Sequence, residues 1–217
     1  MFRLSALALT CATLLTVGAA HAQTEVRATL AGHASLPAST TVAAPADAGA
    51  LFTTAGKFAS SNRQRVEALG TIPGVTFVGD PKHPRLSGGS LPIQGQSVQG
   101  FSGIVSLGQG EFLALTDNGF GNKLNSQDAL LMVHKVRADW DSGQVSRLQT
   151  TFLRDPDRKV PFFIENENTA ERYLTGSDFD PESIQVVGNE WWIGDEFGPY
   201  VLRMDAQGKV LEVIDTV

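Results

Sequence analysis

Two short acidic turns, each at the end of an apolar run, constrain the fold of this chain most. Residues 111–116 lead into Asp117-Asn118-Gly119, and residues 190–194 lead into Asp195-Glu196-Phe197-Gly198. Runs of this length and composition are typical of β-strands, and a glycine close behind a carboxylate indicates a tight turn. Strands that repeatedly carry carboxylates at their ends suggest side chains that converge on one polar site.

The strand-like runs fall into two groups of four, and in each group the acidic turn follows the second strand. The first group covers residues 104–107, 111–116, 129–136 and 145–153, and the second covers 183–187, 190–194, 200–204 and 210–214. This repeat predicts an all-β fold, a β-propeller of four-stranded blades with about two to three blades present. An irregular β-sandwich is the alternative.

The first 56 residues differ from the rest in composition. Residues 1–22 combine Arg3 with an apolar run and end in Ala20-His21-Ala22, the pattern of a cleaved signal peptide, with a short membrane anchor as the alternative. Residues 23–56 are rich in small residues, and we expect a low-complexity leader that buries little surface. Residues 57–217 would form a partial propeller domain, and because closure takes about four blades we expect an N-terminal portion of a longer protein.

Composition supports export and argues against several classes of partner. Removal of residues 1–22 leaves 195 residues (217 − 22) without cysteine, so a periplasmic or extracellular form would depend on its core for stability. That form carries 16 basic side chains (17 − 1) and 23 acidic ones, which argues against a nucleic-acid partner. No later apolar run approaches the ~20 residues that a membrane-spanning helix needs.

A third acidic segment, Asp178-Phe179-Asp180-Pro181-Glu182, precedes the second group of strands. Alternate residues of an extended chain share one face, so its three carboxylates would lie together and repel each other unless a cation joins them. Calcium suits such a set because it takes about six to eight oxygen ligands in irregular geometry. Ordinary solvated turn acids are the alternative. The predicted metal ligands are Asp117, Asp180, Glu182, Asp195 and Glu196.

Three further residues are predicted to bind substrate. Lys123 follows the first acidic turn, Arg172 precedes the third acidic segment, and Asn118 lies within the first turn. A phosphate ester bridged by calcium and held by lysine or arginine is electrostatically balanced, with plain surface charges as the alternative. The chain lacks Gly-x-Ser-x-Gly and His-Glu-x-x-His, which argues against a serine-hydrolase elbow and against zinc.

Four segments resemble motifs of the phytase-like family, described as esterase-like activity of phytase, and occur in the same order. The similarity covers approximately residues 95–217 and implies a β-propeller and a calcium-assisted phosphoester hydrolase. Many family members have Asp-Arg-Gly at the first turn, where this chain has asparagine. The segments are Phe101-Ser102-Gly103-Ile104, Thr116-Asp117-Asn118-Gly119-Phe120-Gly121 with Asn125-Ser126-Gln127-Asp128, Asp180-Pro181-Glu182-Ser183, and Asp195-Glu196-Phe197-Gly198-Pro199-Tyr200.

The functional hypothesis that follows is an exported hydrolase acting on a small phosphate ester or a similar ester. Calcium would polarise the substrate and lower the pKa of an attacking water, and Glu182 or Glu196 would be the catalytic general base. Two alternatives remain open from the sequence. One is a non-catalytic envelope binding module with structural calcium, and the other is a lactonase-type propeller acting on a neutral ester.

Overall fold

The computed structural model describes residues 28–58, 76–80, 82–86 and 91–217, so the predicted signal peptide lies outside the described residues. The described residues contain no α-helix, and no helix in this part of the chain has the length and apolar character needed to cross a membrane. One 3-10 turn, Ala50–Thr53, is present. Six short strands come first: β1 Thr41–Val42, β2 Thr54–Ala55, β3 Phe77–Val78, β4 Arg85–Leu86, β5 Ile93–Gln94 and β6 Gln96–Ser97.

Eight longer strands follow and form two four-stranded antiparallel sheets. We call the sheet of β7–β10 blade 1 and the sheet of β11–β14 blade 2, and in each the strands pair in chain order. This confirms the predicted all-β class with propeller-type blades. The strands are β7 Phe101–Gly108, β8 Glu111–Thr116, β9 Met132–Asp139, β10 Gln144–Phe152, β11 Pro181–Val187, β12 Glu190–Asp195, β13 Tyr200–Asp205 and β14 Val210–Asp215.

The first strands of the two blades, β7 and β11, lie against each other. Gly103 in β7 permits this approach, since a Cβ atom there would lie 2.9 Å from Cγ2 of Ile184 in β11. Behind this contact the inner faces of both blades share one apolar core, in which Leu115, Ile193 and Leu202 are fully buried. The ends of β8 and β12 are therefore brought to the same region of the molecule.

The segment before blade 1 is more closely packed than its composition predicts. Strand β1 pairs with β6, β2 pairs with β5, and Phe52 is 1% exposed within a cluster that includes Leu130 and Tyr173. The Asp128 carboxylate accepts hydrogen bonds from the backbone N–H groups of Gly56 and Lys57 at 3.0 and 2.8 Å. The expectation that residues 23–56 bury little surface is therefore wrong for residues 48–56, where Ala48, Phe52, Thr54, Ala55 and Gly56 are buried. The predicted domain boundaries stay a prediction.

Candidate functional site

The first tip, residues 117–119, is the turn that follows β8. The Asp117 backbone N–H donates to the Gly100 carbonyl at 2.8 Å, and the Asp117 Oδ1 atom accepts from the Gly119 N–H at 2.8 Å. Asn118 Oδ1 accepts from the Gly121 N–H at 2.8 Å. Gly119 and Gly121 have φ angles of 90° and 83°, a region that favours glycine. Glycine at these positions lets the turn fold back on its own side chains.

The second tip, residues 195–198, is tied to the segment that leads into blade 2. The Asp180 N–H donates to Asp195 Oδ1 at 2.7 Å, and the Glu196 N–H donates to the Asp180 carbonyl at 2.9 Å. These two bonds place Asp180 directly beside the end of β12. The main chain of Asp180 is thus hydrogen-bonded to the second tip, which carries the carboxylates of Asp195 and Glu196.

Asn118 joins the two tips. Its backbone N–H donates to Asp180 Oδ1 at 3.0 Å, and its Nδ2 donates to Asp180 Oδ2 at 2.8 Å. Gly176 passes so close that a Cβ atom there would lie 1.9 Å from the Asn118 carbonyl oxygen. Asn118 is 2% exposed and both ends of its side-chain amide are hydrogen-bonded, so it orients Asp180 from a buried position. Its predicted contact with substrate stays a prediction.

Three of the predicted ligands form the carboxylate group, Asp180, Glu182 and Glu196. Each offers one oxygen, and these oxygens lie within 4.8 Å of one another. Oxygen ligands on opposite sides of a calcium ion are about 4.6–5.2 Å apart, since each Ca–O distance is about 2.3–2.6 Å. Glu182 and Glu196 are exposed, whereas Asp180 is 9% exposed. An all-oxygen donor set with one fixed and two accessible members fits a hard cation such as calcium.

The electrostatics of the tips favour a cation as well. Burial raises the pKa of Asp117, Asp180, Glu182 and Asp195, and nearby negative charges add to this effect for three of them. The charge of Asp180, for example, raises the pKa of both Asp117 and Glu182. Like charges this close disfavour full ionisation. A bound cation would offset this repulsion between the carboxylates.

The other two predicted ligands, Asp117 and Asp195, lie beside the carboxylate group but outside it. Asp195 Oδ1 accepts from the Asp180 N–H at 2.7 Å, and hydrogen bonds from the backbone of Phe197 and Gly198 offset part of the rise in its pKa that burial causes. Asp117 is near enough for its charge to raise the pKa of Glu182. Asp117 therefore adds negative charge at the group and Asp195 holds Asp180 in place, and direct ligation by either stays a prediction.

The alternation of side chains in an extended chain predicted that Asp178 would share a face with Asp180 and Glu182. The structure shows that it does not. It is 4% exposed and accepts hydrogen bonds from Thr175 N–H, Thr175 Oγ1 and Glu165 N–H at 2.8, 2.9 and 2.9 Å. Burial raises its pKa to about 6. The physical reason is that β11 begins only at Pro181, so that Asp178 belongs to a turn and not to an extended strand.

The two predicted cations have different environments. Lys123 is exposed, with its Nζ atom 4.8 Å from the centre of the Phe197 ring in the second tip. Arg172 is 2% exposed and bonds Asp155 Oδ2 at 3.1 Å and Glu167 Oε1 at 2.6 Å. Its hydrogen bond lowers the pKa of Glu167 to about 2. The guanidinium of Arg172 is thus buried in an ion-pair network, and substrate binding by Arg172 stays a prediction.

Ser102 lies in a family-like motif of the sequence but was not among the predicted site residues, yet it lies next to Glu182. Its hydroxyl is close enough to the Glu182 carboxyl to offset part of the rise in pKa that burial causes there. Ser102 belongs to β7 and Glu182 to β11, so the contact exists only because the two blades pack together. No local spacing pattern signals it.

A cavity of about 490 Å³ lies apart from this chemistry, in the segment before blade 1. No ionisable side chain lines it. Because no ionisable side chain lines this cavity, the carboxylate group is the better candidate site. The lining residues are Thr41, Val42, Ala43, Ala44, Pro45, Ala46, Gly49, Ala50, Thr53, Gln94 and Gly95.

Fold and site together define a β protein of propeller-type blades whose strand ends gather carboxylates at one place. A model of the Phytase-like family, described as esterase-like activity of phytase, matches residues 96–217, which is more than half of the chain. The chain belongs to this family, and membership indicates a hydrolase-like function. Comparisons with curated proteins and with solved structures give no match.

Proposed function

We propose that the protein is an exported hydrolase that uses a divalent cation, calcium, to cleave a phosphate ester or a similar ester. The observation that carries this proposal is the carboxylate group, Asp180, Glu182 and Glu196, whose oxygens lie within 4.8 Å of one another. Membership of a family described by esterase-like activity supports the reaction class. Export rests on the signal-peptide pattern of residues 1–22, and mature protein recovered outside the cytoplasm should begin at Gln23.

Each member of the carboxylate group has a distinct part. Asp180, held by Asn118, provides a fixed oxygen, while Glu182 and Glu196 provide exposed ones. The cation, when bound, would polarise the ester and lower the pKa of an attacking water. Glu182 is exposed and belongs to the carboxylate group, so it would accept the proton from that water at a carboxylate oxygen. Glu196 is the alternative base on the same face.

The test is a calcium titration by calorimetry together with an ester hydrolysis assay on the full chain. We expect calcium binding by the wild type, loss of binding in Glu182→Gln, and calcium-dependent release of p-nitrophenol from p-nitrophenyl phosphate. Glu212→Gln is the matched control, since Glu212 lies on β14 in a solvent-exposed ion pair with Arg203.

Three outcomes separate the hypotheses. Calcium-dependent turnover that Glu182→Gln abolishes and Glu212→Gln retains supports the proposal. Calcium binding without turnover of charged or neutral esters indicates a binding module. A folded chain, judged by its circular dichroism, that binds no calcium overturns the cation site.

A further inference from the structure

Phe163 lies at the surface of the segment that connects the two blades, residues 153–180. Its side chain is 90% exposed, more than that of any other aromatic residue in the described part of the chain, where Trp140 follows at 53%. The residues on either side of it, Phe162 and Ile164, pack into the apolar core. Burial of a phenyl ring removes roughly 150–250 Å² of surface from water, and aromatic side chains are enriched where proteins contact a partner. Phe163 is therefore a candidate contact residue.

The short loop that carries Phe163, residues 159–165, is held in place at both ends. At its start the Lys159 N–H donates to Asp155 Oδ1 at 2.7 Å, and at its end the Glu165 N–H donates to Asp178 Oδ1 at 2.9 Å. Both of these carboxylates are buried. The backbone thus holds the ring toward solvent, and because the loop is already ordered, a contact made by this ring costs little conformational entropy.

A cavity of about 250 Å³ adjoins the Phe163 ring. This volume lies below the roughly 300–1,000 Å³ of most small-molecule pockets and suits a single side chain. The Arg158 side chain is 59% exposed, and its guanidinium bonds the Glu167 carboxylate and, at 3.1 Å, the Glu167 carbonyl. A guanidinium held in this way can stack on an aromatic ring. The cavity therefore fits an aromatic group, and its lining residues are Arg158, Val160, Pro161, Phe162, Phe163, Glu167 and Arg172.

The exposed ring and the cavity lie side by side on one surface, which is the arrangement that a two-fold contact between identical chains requires. In such a contact the same patch is used by both copies, so each ring can enter the cavity of the other. The charges of the loop agree with this pairing. Exposed Lys159 precedes the ring and exposed Glu165 follows it, so a two-fold axis near Phe163 brings the positive end of one loop to the negative end of the other. The ion pairs within the cavity are balanced, with two guanidiniums against the carboxylates of Asp155 and Glu167.

We propose that the 159–165 loop is an interface between two copies of this chain. Each Phe163 ring occupies the cavity of the other copy, and Lys159 of each copy pairs with Glu165 of the other. Since one short loop makes the contact, whereas a standard interface uses about 20–30 residues a side, the pair is transient and forms at high protein concentration. This interface is independent of the proposed hydrolase function.

Sedimentation equilibrium of the full chain, in EDTA and at up to about 0.5 mM, measures the Kd of such a transient pair without contributions from bridging cations. A hot-spot aromatic contributes about 30-fold or more to affinity, and the two-fold contact contains it twice, so Phe163→Ser should raise the Kd about 1,000-fold. Leu86→Ser is the matched control, because Leu86 is an apolar side chain of similar exposure, 81%, in β4. It should leave the Kd unchanged.

A charge exchange tests the two-fold arrangement itself. At low salt Lys159→Glu and Glu165→Lys should each raise the Kd about tenfold, because two like-charge pairs replace two opposite ones. The double variant should return the Kd to within a few-fold of wild type, a recovery that contact with an unrelated partner would not produce. Circular dichroism checks that each variant is folded.

Several outcomes overturn the interface. They are a wild type that stays monomeric over this concentration range, a dimer that Phe163→Ser leaves intact, and a Leu86→Ser variant that loses association as fully as Phe163→Ser. Failure of the double charge variant to recover affinity also overturns it. Phe163-dependent binding of a monomeric chain to phosphatidylglycerol vesicles would assign the ring to a membrane contact instead of a second copy.

Discussion

Replacing Asn118 with alanine tests whether the two tips depend on one another. The side chain makes two hydrogen bonds, from Nδ2 to Asp180 Oδ2 and from the Gly121 N–H to Oδ1, both at 2.8 Å. A hydrogen bond to a charged group contributes about 1.5–3 kcal/mol, and one between neutral groups about 0.5–1.5 kcal/mol. We therefore expect Asn118→Ala to lower the free energy of unfolding by about 3 kcal/mol.

The same substitution should weaken calcium binding. Asp180 would lose one of the two donors that fix its carboxylate, and loss of a partner that orients a ligand typically costs about 10–100-fold in metal affinity. Asn118→Asp should be more harmful at pH 7 than at pH 4, because at pH 7 it replaces a donor with a second negative charge. At pH 4 protonation of either carboxyl restores a donor.

Urea unfolding and calcium calorimetry measure both effects. Asn122→Ala is the matched control, since Asn122 is exposed in the same loop and its Oδ1 accepts only the nearby N–H groups of Leu124 and Asn125. The control should stay within about 1 kcal/mol of wild type. An Asn118→Ala protein with wild-type stability and calcium affinity would refute the view that this residue joins the tips.

Two further predictions concern buried charges. His134 is fully buried and its pKa is lowered to about 4, so the folded chain keeps it neutral while the unfolded chain protonates it below about pH 6.5. This group should therefore remove about 3 kcal/mol of stability as the pH falls from 7 to 4, and urea unfolding of His134→Gln should lack that part of the decrease. Arg172→Met should cost about 3–5 kcal/mol in urea unfolding, because it leaves the fully buried Asp155 carboxylate unpaired. A rise in KM for phosphate esters at unchanged stability would contradict this structural role.

The strands of both blades could be predicted from the sequence because each is bounded by its own turn. The predicted run 111–116 coincides with β8, and the predicted run 190–194 differs from β12 by one residue. In each case glycine or asparagine precedes the apolar run and an acidic turn follows it, so local chemistry alone sets the limits. The two acidic turns could be predicted for the same reason.

The contacts that hold the site together could not be predicted, because they depend on residues far apart in the chain. Asn118 and Asp180 are 62 positions apart, and the bond between them requires both blades to be packed. Arg172 illustrates the same limit, because an exposed arginine and a buried one cannot be distinguished in the sequence. Only Asp155 and Glu167, brought together by the fold, distinguish the two.

Asp180 connects both tips through its main chain and its side chain, so binding at the site and packing of the blades should be linked. A ligand that binds only the folded arrangement stabilises it by mass action, and the linkage is reciprocal. A cation held by Asp180 would strengthen the contact that runs through Asn118, and disruption of that contact would lower cation affinity. The outer strands β10 and β14 take no part in these bonds, so changes there should affect the fold without changing the linkage.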